Sequence, residues 1–468
     1  MSQDVDSPAA QDVAEPQGAA PLQNPSTALS SEVPANYAWN AAAFVMDSSL
    51  FTVSMSFLGT TTILPAFIAQ LTPSPIAIGL ASGAATGGWL LPQLLVASAI
   101  AGKRRKKPIV VSAAWASRPL FFLMGLIVWL YAESRPDLTL VALIAGLAIF
   151  YVLDAVVSVP WFDLLAKAIP PTRRGRILGT SQVLGGLGGV AGGVAVRYIL
   201  GESSPWQYPQ NHAVLLMATS GVLLLSAVGL TIIREPAGRA RSGPVASFHQ
   251  VLAGLPALLR DDRPYLRLVI VRVLAGSAGI ASAFFVLHAT EVGRLSLAST
   301  GLLVSAQVAG SLAAGLLMGY VQDRMGPRVH IRIVSLLAGV PALLALVAGP
   351  LMPSLGNAAL YVYLLLFLFL GISNSSQGWP FFNYILEYAP DEERPLYIGT
   401  LNTLAAMVML APPLGGWLLR TFSYPVLFIT ALGLAGLALL LSAALPSTRR
   451  ATPAAPALSA PATEKAHP

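Results

Sequence analysis

The chain has 468 residues, of which 55% are hydrophobic and only 10% are charged, and its mean hydropathy is +0.68. No soluble core could bury this much apolar surface, so the composition excludes a soluble globular protein and predicts a membrane protein with many spans. The net charge of +7 does not indicate a nucleic-acid partner, because the basic residues lie in short loops between apolar runs, where they set membrane topology.

Twelve apolar runs follow an N-terminal stretch, residues 1–36, that contains no Lys or Arg and is rich in Ala, Pro, Ser and Gln. That composition predicts a disordered cytoplasmic tail. Each apolar run has about 20 residues or more, the length that a helix needs to cross a bilayer core. The runs predict helices α1 to α12 at 38–69, 75–101, 108–131, 138–168, 178–200, 212–233, 264–290, 298–321, 330–350, 358–388, 396–420 and 424–445.

The expected fold class is an all-α polytopic membrane protein whose twelve transmembrane helices form two pseudo-symmetric six-helix bundles. The polar stretch between α6 and α7 divides the chain in half. We expect an N-terminal bundle at 37–233, a cytoplasmic linker at 234–263 and a C-terminal bundle at 264–445. Residues 446–468, rich in Ala and Pro, are expected to form a second disordered cytoplasmic tail.

An internal repeat relates the two bundles. The segment Pro160-Trp161-Phe162-Asp163 in α4 recurs 220 residues later in α10 as Pro380-Phe381-Phe382-Asn383. The same offset superposes further residues without a gap: Pro170, Arg174, Gly179 and Thr180 on Pro390, Arg394, Gly399 and Thr400. A long repeat in a hydrophobic chain is typical of transporters whose halves move against each other around a central site.

The orientation follows from the basic residues, which remain preferentially in the cytoplasm. One set of alternate loops holds most of them, from Lys103 to Arg394, whereas the opposite set holds only Arg135, Arg197, Arg294 and Arg420. The sequence therefore predicts a multi-pass protein of the cytoplasmic membrane with both termini in the cytoplasm.

Small residues recur every four positions along α5, at Gly185, Gly189 and Gly193. In lipid, such a stripe lets a neighbouring helix approach closely. In α11, Pro412-Pro413 predicts a kink, because proline cannot donate a backbone hydrogen bond.

The loop between α8 and α9 reads Gly319-Tyr320-Val321-Gln322-Asp323-Arg324-Met325-Gly326-Pro327-Arg328. With twelve helices in two sets of six, the chain resembles the major facilitator superfamily, whose signature in this loop is Gly-x-x-x-Asp-Arg-x-Gly-x-Arg. The resemblance covers about residues 38–445. The sequence departs from it between α2 and α3, where Gly102-Lys103-Arg104-Arg105-Lys106-Lys107 lacks the acid and the second Gly.

The resemblance implies a cytoplasmic gate. In the family's arrangement the α2–α3 loop approaches the start of α11, and the α8–α9 loop approaches the start of α5; here both pairings join basic to acidic residues. The expected gate residues are Lys103, Arg104, Arg105, Asp163, Arg173, Arg174, Arg176, Asp323, Arg324, Arg328, Asp391, Glu392, Glu393 and Arg394. Two alternatives are open: the charges only set topology, since exposed ion pairs contribute about 0–1 kcal/mol, and Asp163 is a local structural partner.

Ionisable residues inside the spans point to a substrate or proton path, because a charge at the bilayer centre costs at least about 2.5–3.5 kcal/mol. Asp154 in α4 has Asn374 as its repeat equivalent, so both halves place polar groups at a matching depth. The substrate- or proton-binding candidates are Asp47, Arg118, Asp154, Arg272, Asn374, Gln377, Gln307 and Trp115. Alternatively, Asp47 or Asp154 forms a permanent ion pair with Arg118 or Arg272 that only fixes helix packing.

No enzyme signature is present: the sequence has no phosphate-binding loop, no cysteine and no metal-binding spacing among its five histidines, so we expect no catalytic residue, metal or cofactor. The expected function is secondary active transport of a small organic solute by alternating access, coupled to protons through Asp47 or Asp154. The expected partners are the solute, protons and the lipid bilayer, and the expected state is a monomer. The alternatives are a drug or lipid efflux pump of the same fold and a nontransporting membrane sensor or scaffold.

Overall fold

The computed structural model describes residues 36–100, 103–236, 248–390 and 393–447, and these residues contain helices and no strand. Twelve helices in these ranges are long and apolar enough to cross a membrane. The helices α1 to α12 span Tyr37–Leu71, Pro75–Ile100, Lys107–Tyr131, Pro136–Ala168, Thr172–Ile199, Gln210–Ile232, Arg263–Glu291, Ser299–Gln322, Pro327–Leu351, Gly356–Tyr388, Leu396–Thr421 and Tyr424–Ala443. The predicted fold class is confirmed.

The predicted bounds hold within three residues except at the start of α5, which begins at Thr172 instead of residue 178. The helix extends one residue beyond this span, to Pro171, because a proline is tolerated at the first helical position, where its φ suits the helix and an N–H would have no partner. The basic residues that follow it lie beyond the apolar run, so hydropathy alone placed the start too late.

The central linker contains a helix that the sequence prediction missed, Phe248–Asp261. It ends just before α7, whose first turn is capped by Asp262, because the Asp262 carboxylate accepts a hydrogen bond from the Tyr265 N–H at 2.9 Å. The two predicted tails lie outside the described residues apart from Asn36 at one end and Pro446 and Ser447 at the other.

Six of the twelve helices are interrupted, namely α1, α2, α3, α7, α10 and α11. Helix α1 breaks after Leu58 at Gly59, which has a positive φ of 49° that favours glycine. Helix α7 breaks through a 3₁₀ turn at Ala278–Ala281, and α11 through another at Ala406–Leu410. The kink predicted at Pro412-Pro413 is therefore a break one turn earlier, with Pro412 in the first turn of the segment that follows.

The buried apolar side chains show how the two halves meet. At one end of the molecule a single core joins both halves and includes Ile68 and Ile78 with Ala281 and Phe284. At the other end the cores are separate: one belongs to the N-terminal half and includes Phe44, Leu164 and Ile177, and the other belongs to the C-terminal half and includes Tyr265, Phe381 and Tyr397. The halves thus share an apolar core at one end and have separate apolar cores at the other.

We call the end with separate cores the basic face, because Lys103 to Lys107 lie there, and the other end the closed face. Helix pairs α5–α8 and α2–α11 pack across the closed face through glycines. A Cβ built on Gly189 would lie 2.7 Å from Ser56 Oγ and 3.1 Å from Val308 Cγ1, so α5 fits between α1 and α8 only without a side chain. The α5 glycine stripe therefore packs closely, as predicted.

The α2–α11 contact is equally tight. A Cβ on Gly79 would lie 2.7 Å from the Pro412 carbonyl carbon, and a Cβ on Gly83 would lie 2.6 Å from the Met409 carbonyl oxygen. Backbone atoms cannot move aside as a side chain can, so these contacts keep the closed face shut.

We predict that Gly79→Val weakens closure of that face. Overpacking costs about 1–3 kcal/mol, which favours the conformation open there. The chain has no native cysteine, so Ala281→Cys, at a fully buried position of the shared core, is an unambiguous reporter. Its labelling by a membrane-impermeant maleimide should rise by about fivefold or more in the Gly79→Val background.

The matched control is Gly436→Val in α12, because a Cβ there meets nothing within 4 Å. Equal labelling of Ala281→Cys in the two valine backgrounds would contradict a role for the α2–α11 contact in closure.

Candidate functional site

Two adjoining cavities lie in the middle of the molecule, each with a volume of about 490 Å³. We call them the N-cavity, which is lined by Asp47, Arg118 and Asp154, and the C-cavity, which is lined by Arg272 and Asn374 among others. Both share three lining residues, Thr60, Trp89 and Tyr151. The C-cavity is bounded by both halves, so a solute there would contact both.

Asp47 lies in the N-cavity wall and is 5% exposed. Ser226 of α6 donates a hydrogen bond to its Oδ1 at 2.6 Å, and the Trp161 indole of α4 donates to its Oδ2 at 2.9 Å. Both donors are neutral, and no cation within the described ranges forms an ion pair with this carboxyl group. Asp47 therefore ties α1 to α4 and α6 through hydrogen bonds that do not require it to be charged.

Asp154 and Arg118 form a buried ion pair in the same cavity. Arg118 Nη1 lies 2.9 Å from Asp154 Oδ1, and the two residues are only 1% and 6% exposed. The rings of Phe51 and Phe150 flank the guanidinium, with centroids 5.2 and 5.7 Å from Cζ. The ion-pair alternative raised by the sequence therefore applies to Asp154 with Arg118, and not to Asp47 in this conformation.

Arg272 lines the C-cavity from α7, and its Cζ lies 5.4 Å from the centroid of the Phe381 ring. Asn374 and Gln377 of α10 line the same cavity, as the repeat predicted for a polar site at matching depth. Ser282, next to the break in α7, adds a hydroxyl. The structure thus gathers six of the eight candidate residues around the two cavities.

The other two candidates, Gln307 and Trp115, line neither cavity. Gln307 of α8 accepts a hydrogen bond from Thr61 of α1 at 2.7 Å, so it joins the two halves. Trp115 is 45% exposed and its indole donates to Thr231 at 3.0 Å, so it lies on the surface of the bundle formed by α3 and α6.

Sequence reasoning missed several residues of the site. Tyr151 lies one helical turn before Asp154, so the i, i+3 spacing on α4 could have placed it in the cavity. Trp161 is not among the sequence candidates, yet its indole donates a hydrogen bond to Asp47. No local pattern indicates Ser226, because it lies 179 residues from Asp47 in the sequence.

The charges at the basic face contact their own half of the molecule. Asp163 lies 3.3 Å from Lys167 Nζ and 3.7 Å from Lys106 Nζ, both on the N-terminal half. The Glu235 carboxylate accepts hydrogen bonds from the Lys106 and Lys107 backbone N–H groups at 2.9 and 3.0 Å, a contact that no motif indicated. These bonds hold the α2–α3 loop against the ends of α4 and α6.

Five arginines of the predicted gate also contact their own half. Arg173 lies over the Tyr37 ring, Arg174 donates to the Ala166 and Ile169 carbonyls, Arg324 lies over the Tyr320 ring, Arg328 donates to the Ala443 carbonyl, and Arg394 donates to the Ala389 carbonyl. The other gate residues with described side chains are all exposed: Lys103, Arg104, Arg105, Arg176 and Glu393.

The acids that would complete the gate, Asp391 and Glu392, lie outside the described residues, as does the side chain of Asp323. The cytoplasmic gate therefore stays a prediction.

Comparison with known proteins finds one family model that matches part of the chain and solved structures that share its fold. The family model described as Major Facilitator Superfamily matches residues 273–467. No curated protein matches the chain.

Solved transporter structures share the fold. A variant of the nucleoside transporter NupG has a TM-score of 0.65 at 12% identity, covering 87% of this chain and 99% of its own. A D-xylose-proton symporter has a TM-score of 0.63 at 16% identity, covering 88% and 99%. The fucose:proton symporter FucP of E. coli, in the outward conformation, has a TM-score of 0.56 at 14% identity, covering 88% and 100%.

We predict that Asp154→Asn destabilises the protein, because it leaves the Arg118 charge buried without its partner. Breaking a buried ion pair in this way costs about 3–5 kcal/mol. Thermal unfolding in detergent, followed by tryptophan fluorescence, should show a clear fall in midpoint temperature.

The double variant Arg118→Met, Asp154→Leu removes both charges and should recover most of that loss. The control is Asp137→Asn, at an exposed acid in the first turn of α4. If the double variant were no more stable than Asp154→Asn, the ion pair would not be the cause.

Proposed function

We propose that the chain is a member of the major facilitator superfamily and a secondary active transporter of a small organic solute, because the family model matches residues 273–467 and the solved structures that share its fold are transporters. It would act by alternating access and be coupled to protons. The observation that carries this proposal is the pair of cavities between two six-helix halves, with a buried carboxyl group that has no cation partner in the described structure.

Alternating access is supported by the asymmetry of the core. The halves share one core at the closed face and have separate cores at the basic face, so the conformation described is open at the basic face. The similar FucP structure is in the outward conformation, so this fold accommodates more than one state. A rocking motion that separates the shared core and joins the two separate cores would expose the cavities to the opposite side.

Proton coupling fits Asp47 better than Asp154. Protonating Asp154 would leave the Arg118 charge buried and unpaired, which is costly. Protonating Asp47 leaves its neutral donors, Ser226 and Trp161, able to bond to it. Because these donors belong to α6 and α4, a change in the charge of Asp47 would alter how tightly α1 is held, and so the balance between conformations.

The orientation belongs to the same proposal. In a cell-membrane protein, that face and both termini would lie in the cytoplasm, an orientation that the excess of basic residues at the basic face supports. The cavities described here would then open to the cytoplasm. We further propose bundles at 37–233 and 264–445 that move as units, joined by the linker at 234–263, in a monomer.

We predict that Asp47→Asn abolishes proton-driven accumulation. The solute would be identified by a thermal-shift screen of the purified protein, and its uptake into proteoliposomes would be measured with an imposed proton gradient. Asn keeps hydrogen bonds to Ser226 and Trp161 within reach but cannot carry the proton, so accumulation should fall by about tenfold or more while counterflow exchange persists.

The matched control is Asp137→Asn, which should accumulate solute like the unmodified protein. Undiminished gradient-driven accumulation by Asp47→Asn would contradict proton coupling at Asp47. Binding of the solute without any flux would favour a nontransporting sensor.

We also predict that Asp323→Lys slows transport. Its carboxylate is expected to meet the N-terminus of α5 and the arginines there when the basic face closes, an interaction worth about 0.3–1 kcal/mol or more. The transport rate should fall about two- to fivefold. It should recover in the charge-swapped double variant Asp323→Lys, Arg173→Glu.

The control for charge reversal is Asp137→Lys at the closed face. If Asp323→Lys transported at the unmodified rate, the loop charges would only set topology.

A further inference from the structure

Among the residues that the structure describes, the C-cavity is lined by one charged side chain. Arg272 reaches it from α7, and no Asp or Glu is among the residues that line it. In the described part of the chain, no carboxylate forms an ion pair with Arg272, and its guanidinium lies over the Phe381 ring. Arg118, the other arginine beside the central space, is neutralised by Asp154.

A lone guanidinium inside a membrane protein is costly to keep, since insertion of a charge at this depth costs at least about 2.5–3.5 kcal/mol. In the N-cavity the chain supplies the partner itself, with Arg118 Nη1 2.9 Å from Asp154. In the C-cavity it leaves the partner position open to a cavity of about 490 Å³. Because Arg272 has no carboxylate partner among the described residues and borders a cavity, we infer that its partner is a negative charge on the solute.

We propose that the C-cavity binds the carboxylate of an organic acid, with Arg272 as its charge partner. This inference rests on the proposed transport function and names the class of solute. The planar guanidinium fork matches a carboxylate in two parallel hydrogen bonds. Asn374, Gln377 and Ser282 line the same cavity and supply further amide and hydroxyl donors.

A carboxylate fits this cavity better than a phosphate ester does. A phosphate group carries nearly two charges at neutral pH, whereas the cavity offers one cation. The lining also includes the rings of Trp89 and Trp379, which suit the apolar body of a small acid. Asp47 lies in the N-cavity and, when ionised, repels an anion from that side, so the acid group is directed toward Arg272.

The test is binding to the purified full-length protein, measured by the fluorescence of its tryptophans, two of which line the C-cavity. The probes are acetate, pyruvate, lactate and benzoate, each with its primary amide, and inorganic phosphate. We expect at least one carboxylate to bind saturably while its amide does not. Arg272→Gln should weaken that binding by about tenfold or more, because a charge-assisted hydrogen bond is lost.

Arg272→Lys keeps the charge without the fork, so its affinity should lie between those of Arg272→Gln and the unmodified protein. The control is Arg267→Gln, also on α7, because Arg267 is partly exposed, lines neither cavity and donates to the Ala444 carbonyl. That variant should bind like the unmodified protein. If Arg272→Gln failed to fold, the carboxylate–amide comparison on the unmodified protein and Arg272→Lys would decide.

The proposal is overturned if no carboxylate binds, if amides bind as well as their acids, if phosphate binds more tightly than every carboxylate, or if folded Arg272→Gln binds unchanged. Flux measurements separate this outcome from failure of the transport function. Carboxylate binding that depends on Arg272 but gives no flux would leave the inference standing and refute transport. Flux of a neutral solute that Arg272→Gln does not change would support transport and refute the carboxylate site.

Discussion

The arrangement of this protein depends on one constraint: a charge within the membrane must have a partner or reach water. Arg118 and Asp154 satisfy it with each other, behind Phe51 and Phe150, in a pair that is almost fully buried. Asp47 satisfies it through two neutral donors. Arg272 satisfies it by facing a cavity. The same constraint thus accounts for a fixed ion pair between Arg118 and Asp154, a carboxyl group at Asp47 that can accept a proton, and a cation at Arg272 that is open to a ligand.

Two of the helix breaks, in α1 and α7, lie beside the C-cavity. Gly59 in α1 and Gly279 in α7 are 220 residues apart, which is the offset of the internal repeat, and each lies in an interruption of its helix. Thr60 and Thr61 line the C-cavity after the first break, and Gly279 and Ser282 line it at the second. Broken helices expose backbone groups only where a cavity or other protein groups satisfy them, so a matched pair of breaks supports a solute site between the halves.

The sequence predicts the membrane fold well because hydropathy and helix length are local properties. The twelve spans, the repeat and the close packing of the α5 glycines follow from patterns within short segments. The in-span charges were found because burying them is costly, and six of eight candidates line the cavities. The contacts of Asp47 with Trp161 and Ser226 could not be predicted in the same way, since they depend on how α1, α4 and α6 are rotated about their axes.

The two halves repeat the same helices but do not repeat the same charges. Asp154 has Asn374 as its equivalent and Arg118 has Ala338, so the C-terminal half lacks the ion pair of the N-terminal half. Arg272 has Thr52 as its equivalent, so its cation has no counterpart in the first half. If the charges served only to fix helix packing, equivalent helices with equivalent packing would need equivalent pairs. The absence of an internal partner for Arg272 in the described structure is more easily explained by a division of roles, in which the N-terminal half holds a self-contained pair beside a protonatable acid and the C-terminal half presents a cation to the solute.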